Sequence, residues 1–311
     1  VDIVAVSVNV QSHYDNIKPA LEAGKDVFVE WPLARNLAEA EELTALAKEK
    51  GVRTSVGLQA RQSPTILKAK ELVAAGKLGK ILNSKMHGYG SIAGPATTKL
   101  YQYTNDIENG ANLVTIPHGH AVDAFCFVLG ELESLSATTA NHFPQVVLLG
   151  DDFKPKGNVP KTAHDFVAFT GTLVDGGVVD VSYAGGSSHH GKDFYWEING
   201  TEGSLILEND KSVLKSPGGH IQMSQPTLKF VPKKTDPFGP AEEAQDVEIE
   251  KAGAWEKGDY SFPVGKAWDA LAGVGLDQGY TVTTFEDALL RHRMIEAIYK
   301  SAENGTRESY L

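Results

Sequence analysis

The 311-residue chain has a single cysteine, Cys126. No internal disulfide can form, and a reducing compartment, cytoplasmic or nuclear, is the expected setting. Positive charge is scarce. Lys and Arg number 29 against 40 Asp and Glu, for a formal net charge of −11. A duplex binder needs a basic face to displace counterions, so direct nucleic-acid binding is disfavoured, as is docking on anionic lipid. No run approaches the roughly 20 apolar residues of a membrane span, and no signal-peptide pattern opens the chain. The G-x-G-x-x-G turn that cradles a dinucleotide pyrophosphate follows none of the strands.

What is there belongs to a folded protein. Apolar residues make up 41% and charged residues 22%, which supports a real core and excludes a disordered chain. At about 100–200 residues per domain, the length predicts two domains. Val1 to Val8 is almost continuous in β-branched and small apolar residues, as a strand buried on both faces reads. Ser12 is a candidate cap for a helix that carries Ile17 and Leu21 and stops at Gly24, with Pro19 inside it. Val27–Val29 is a second strand. Asn36, with Glu39 three residues on, opens a second helix whose apolar stripe is Leu37, Ala40, Leu43, Leu46 and Ala47, and Gly51 ends it. Val52–Val56 is a third strand. This alternation implies right-handed crossovers in a parallel sheet. Ligands bind such sheets beyond the carboxyl ends of the strands, where Asn9–His13, Glu30–Pro32 and Gly57–Arg61 place polar side chains.

A helix over 63–75 follows. Residues 80–90, 133–150, 165–184 and 193–208 then alternate apolar and polar, with turns at Asp175–Gly177 and Asn199–Gly203. This predicts a mainly antiparallel sheet. Residues 209–262, rich in Pro, Lys, Glu and Gly, read as long loops, and 285–303 as a closing helix. The fold class is thus α/β plus α+β: the C-terminal part of a doubly wound domain over 1–78, then an open-faced sheet domain over 79–311.

The run Ala20–Ala34, containing Glu30-Trp31-Pro32, resembles the Gfo/Idh/MocA oxidoreductases, whose run ends Glu-Lys-Pro. Val56-Gly57 with Arg61 and Pro64, Gly76–Ile81, His120 with Asp123, Ile198–Gly203 and His292–Ser301 agree over nearly the whole chain. The resemblance implies a Rossmann domain binding NAD or NADP, a C-terminal domain with an open sheet, and a homodimer through that sheet. It places the glycine-rich turn ahead of Val1, so cofactor binding is expected to need a segment upstream of this chain. Two departures stand out. Trp31 occupies the position of the family's catalytic Lys, and Ile116 that of an Asp often found four residues before the His. An indole has an N–H donor but no basic lone pair, whereas a positioned acid or base is worth about 10²–10⁴ in rate. His120 alone remains as a candidate for handling protons.

Glu30-Trp31, Gly57–Pro64, Asp106–Gly110, Gly119–Asp123 and Val159–Thr162 are further similar to a fungal branch of the family, of the galactose-repressor type. Such proteins keep the fold and the dinucleotide site but act by masking the activation domain of a transcription activator. The resemblance therefore implies a regulatory protein. The alternative is an NAD(P)-dependent oxidoreductase acting on a sugar or polyol. The cofactor residues implied are Asn9, His13, Glu30, Trp31 and Gln59; Arg61, His120 and Asp123 are assigned to a substrate or peptide cleft. Each has a plainer reading beside it. His13 is otherwise a solvent-facing helix start, Glu30 a turn cap, and Trp31 packing between domains. Gln59 and Arg61 otherwise belong to a surface ion pair, and His120 is otherwise a structural histidine. No metal site is expected, because His118 and His120 point about 200° apart on a helix.

Overall fold

The computed structural model describes residues 1–209, 219–249 and 261–311. Three parallel strands, β1 (Ile3–Val6), β2 (Asp26–Glu30) and β3 (Thr54–Gly57), form a sheet in that order. Helices α1 (His13–Glu22) and α2 (Leu37–Lys50) make the crossovers. Asn36 caps α2, its side chain accepting from Glu39 N at 3.0 Å, and Gly51 closes it in the left-handed region at φ 64°. Ser12 makes no side-chain cap on α1; instead Asn16 Nδ2 donates to its carbonyl. Pro19 lies inside α1, which runs past it to Glu22.

After α3 (Pro64–Ala74) comes a sheet of eight strands: β4 (Ile81–Gly90), β6 (Leu132–Ala140), β9 (Phe166–Leu173), β10 (Val178–Gly185), β11 (Phe194–Gly200), β12 (Gly203–Glu208), β13 (Thr227–Pro232) and β14 (Gln245–Asp246). Their order is β14-β13-β12-β11-β4-β10-β9-β6, and all pairs are antiparallel but β4–β10. A small sheet joins β5 (Ala96–Thr98), β7 (Gln145–Leu149) and β8 (Pro155–Pro160).

The large sheet buries alternate residues on one face, as its period-2 pattern requires. Met86, Val181, Tyr183, Trp196 and Leu205 point toward α4 (Pro117–Leu129), where Phe125 stacks on Trp196 with ring centroids 5.4 Å apart. Asn83, Lys85, His87, Tyr195, Glu197 and Asn199 take the opposite face.

One part of the sequence reading needs correction. Within 209–262, expected to be loops, Thr227–Pro232 pairs along the whole of β12, and Gln245–Asp246 extends the sheet again. Leu228 and Phe230 carry the alternation, but between charged and proline residues it is faint. Residues 210–218 and 250–260 of that stretch lie outside the described residues. A helix the pattern did not announce, α5 (Phe262–Leu271), stacks Trp268 on Phe28 of β2 at 4.4 Å. The closing helix α6 (Phe285–Asn304) begins with a full capping box between Thr284 and Asp287 and packs on both β6 and α2.

Candidate functional site

The parallel strands share one carboxyl edge, and three polar segments meet there. Glu30 ends β2 and Gly57 ends β3, paired side by side. The Glu30 carboxyl lies over Gly57 so closely that a Cβ at 57 would stand 2.5 Å from Oε2. A side chain at 57 would displace the end of Glu30. Burial raises the Glu30 pKa to about 7, because no compensating charge accompanies its loss of water. Nearby in sequence, Gln59 is buried and its Oε1 has no hydrogen-bond partner. Asn9, in the turn after β1, is exposed.

His13 is not the solvent-facing residue that one reading allowed. It is 1% exposed, with Nδ1 2.8 Å from Pro32 O and Nε2 3.0 Å from Val8 O. It ties the end of β1 to the turn after β2. Burial lowers its pKa against the pull of these carbonyls, and a neutral ring can donate to only one of them.

Trp31 is buried against the start of α4. It is 5% exposed, and its Nε1 donates to Thr115 O at 2.6 Å. That carbonyl is held by the Asn112–Thr115 turn, in which Asn112 Oδ1 accepts from Val114 N and Thr115 N. The indole lies 4.9 Å from the His292 ring and presses on Gly119, where an added Cβ would be 2.8 Å from Nε1. The Trp31–Pro32 peptide is cis. The ring thus joins the end of the first sheet to the start of α4.

Arg61 and Asp123 grip each other. Arg61 Nε and Nη2 donate to the two Asp123 oxygens at 2.8 and 2.7 Å, and Nη1 reaches Asp287 at 3.3 Å. Asp123 is fully buried, and Arg291 Nε stands 3.6 Å from it on another side. Burial opposes the Arg61 charge, but Asp123 and Asp287 together outweigh it and hold the pKa above its ordinary value. Both members of the pair are buried, so the pairing is an internal one and not the surface ion pair of the plainer reading.

His120 is buried in α4 with Nδ1 unpartnered. Burial, aided by neighbouring His220, lowers its pKa to about 3. Two histidines of this region escaped the sequence reading. His292 falls three residues after Leu289 and three before Ile295, within the apolar stripe of α6; the family stretch His292–Ser301 contained it without giving it a role. His220 sits in an irregular loop and gave none. Among the described residues no group of His, Cys, Asp and Glu is arranged to hold a metal ion, and no helix is long and apolar enough to cross a membrane.

Comparison with known proteins agrees with this fold. Residues 1–58 match the model of the oxidoreductase family with an NAD-binding Rossmann fold, and residues 64–209 match that of the Gal80p C-terminal domain. The chain is 32% identical over 317 residues to the dehydrogenase aclE of Aspergillus oryzae, covering all of this chain and 78% of that one. It is 31% identical over 337 residues to the galactose/lactose metabolism regulatory protein GAL80 of Saccharomyces cerevisiae, covering 98% and 78%. The crystal structure of a super-repressor mutant of Saccharomyces cerevisiae Gal80p superposes with a TM-score of 0.84 at 28% identity, over 100% of this chain and 80% of that chain. A parallel Rossmann-type sheet, an open eight-stranded sheet and these matches along both halves make the chain a member of the Gfo/Idh/MocA oxidoreductase family, closely similar to fungal Gal80.

Proposed function

We propose that this protein is a transcription-regulatory member of its family, of the galactose-repressor type, which binds NAD or NADP and acts by binding another protein. The observation that carries this reading is Trp31. Its indole is buried, hydrogen-bonded to Thr115 O and packed on His292. No ammonium group stands at the family's proton-relay position, and His120 is held neutral by burial. The similarity to GAL80 supports the regulatory role, with the activation domain of a transcription activator as partner and a cytoplasmic or nuclear setting.

The residues at the strand ends suit a dinucleotide. Glu30 offers a carboxyl over the bare backbone of Gly57, and Gln59 offers an unpartnered carbonyl oxygen. The dinucleotide, when bound, supplies a hydride acceptor or donor. Without a side chain able to take the hydroxyl proton, tight binding and slow turnover are expected together. The open face of the large sheet suits pairing of two copies. There Lys85, Lys192 and Lys229 each stand within 4 Å of Glu197 or Glu208, so charge is balanced locally on an acidic molecule.

A second reading, an NAD(P)-dependent sugar or polyol oxidoreductase, is favoured by the identity to the dehydrogenase aclE along the whole chain. Two measurements on the full-length protein separate the readings. Calorimetry with NAD⁺ and NADP⁺ should show saturable binding, while reduction of either on a sugar and polyol panel should be about 10²–10⁴ below an ordinary dehydrogenase. Trp31→Lys should raise that turnover. Efficient turnover by the unaltered protein would overturn the regulatory reading.

A further inference from the structure

A cleft that the functional reading does not use is lined by α3, the end of α4, α5 and the 278–281 turn. Its volume is about 1120 Å³, slightly above the roughly 300–1,000 Å³ common for small-molecule sites. None of Glu30, Trp31, Gln59 and His120 lines it. Its walls are fixed to the first sheet. Gln62 Nε2 donates to Thr281 O at 2.6 Å, and Val56 N of β3 donates to Thr283 O at 2.7 Å.

One cation in this cleft has no counter-ion. Lys70, on α3, is partly buried, and its Nζ stands 3.4 Å from the centre of the Phe127 ring. Among the described residues it makes no hydrogen bond or ion pair. The other lysines of the cleft are engaged: Lys68 Nζ lies 2.7 Å from Glu71 Oε1, and Lys266 Nζ lies 3.0 Å from Asp269 Oδ2. Arg61 approaches the same Phe127 ring, with Cζ 5.3 Å from its centre, but Asp123 and Asp287 meet its charge. Burial lowers the Lys70 pKa, and the like charge of Arg61 lowers it further. An aromatic face attracts an ammonium, yet it carries no net charge to neutralise one. Charges withdrawn from water are normally paired, and on a chain of net charge −11 acidic partners are plentiful. Lys70 is the exception.

The chemistry narrows the ligand. Leu67, Phe127, Ile249, Phe262 and Tyr280 give the cleft an apolar, largely aromatic lining, which suits a planar hydrophobic body. The unmatched ammonium calls for one anionic group. Glu71 and Glu248 line the same cleft, so a polyanion such as a phosphate ester would meet like charge there. A neutral ligand would leave Lys70 uncompensated.

We propose that Lys70, Phe127 and Tyr280 form a binding site for a small amphipathic monoanion of the aryl carboxylate class, with the carboxylate on Lys70 and the ring among the aromatic side chains. The inference goes beyond the regulatory reading and does not depend on it. The site stands apart from the strand ends, and a regulator or an oxidoreductase could carry it equally.

The test is calorimetry of the full-length protein with 1-naphthoate, with its neutral analogue 1-naphthalenemethanol and with inorganic phosphate. Naphthoate should bind saturably with a Kd below about 1 mM, and the alcohol about tenfold more weakly or worse. Lys70→Met keeps the stem and removes the charge; it should weaken naphthoate binding about tenfold or more, whereas Lys70→Arg should retain most of it. Saturating NAD⁺ should leave the naphthoate affinity unchanged. The proposal is overturned if naphthoate does not saturate, if the alcohol binds equally well, or if Lys70→Met binds naphthoate like the parent. It also falls if phosphate or an acidic peptide binds through Lys70 and naphthoate does not, or if NAD⁺ competes with naphthoate, which would place the ligand at the strand ends.

Discussion

At Glu30 burial and charge conflict. Its ordinary pKa of 4.5 is raised to about 7 by loss of water, with no cation beside it. Between those values the folded chain holds a proton that the unfolded chain has released. Stability therefore falls as pH rises from about 4.5 to 7, and the cost is complete above that. Glu30→Gln keeps the shape and removes the titration. It should raise the unfolding free energy by on the order of 1–3 kcal/mol at pH 8 and change it little at pH 4.5. Paired urea melts at the two pH values check this, and an equal effect at both would show that packing, not ionisation, sets the difference. The position of Glu30 at a strand end was legible in the sequence, but its bare environment was not. What surrounds the carboxyl is Gly57, from a strand 27 residues on, and no local pattern announces which side chain will lie over a glycine. Arg61 shows the same limit. Its place beyond the third strand was readable, yet its partner Asp123 lies 62 residues away, and only the fold brings the two together as a buried ion pair.

Elements were legible where local chemistry and burial agree. The cap of α2 at Asn36, its stop at Gly51 and the extent of α3 followed from spacing alone, because each depends on residues within one turn. Strands β4, β6, β9, β10, β11 and β12 followed from alternation, since one face of their sheet is core and the other is not. Helix α5 and strand β13 did not follow. Helix α5 is buried through Pro263, Ala267, Ala270 and Leu271, a weak stripe of small residues, and β13 gains its order from the full-length partner β12. The capping box of α6 joins local and tertiary structure. Thr284 accepts from Asp287 N at 3.3 Å, Asp287 Oδ2 accepts from Thr284 N at 2.8 Å, and Asp287 also receives Arg61. Thr284→Ala should cost about 1 kcal/mol. Asp287→Ala should cost more, because it also takes a carboxylate from the Arg61 network. Thermal melts of the two variants should rank them in that order, and equal losses would show that the Arg61 contact, being partly exposed, adds nothing.

On the scale of the whole molecule, four neutral histidines are buried in the core. His118 meets Phe169 and Tyr183 edge-on, His292 packs against Trp31, and His120 lies by His220. Burial lowers their pKa values to about 4 for His118 and His220 and about 3 for His120 and His292. In the unfolded chain each titrates near 6.5. Above that value all four are neutral in both states and contribute nothing to the pH dependence. As pH falls below 6.5 the unfolded chain takes up protons that the folded chain refuses, so stability drops by up to about 1.4 kcal/mol per pH unit for each histidine until its folded pKa is reached. Glu30 acts in the opposite direction over 4.5 to 7, but as one group against four. The net expectation is a Tm that is level from about pH 7.5 to 7 and falls steeply from 6.5 toward 4.5. The burial of these rings explains the slope only if they are its source. His292→Gln, which removes the titrating group beneath Trp31, should therefore lower stability at pH 7.5 yet flatten the acid limb measured by urea melts between pH 6.5 and 5. An acid limb of unchanged slope would place the acid sensitivity elsewhere.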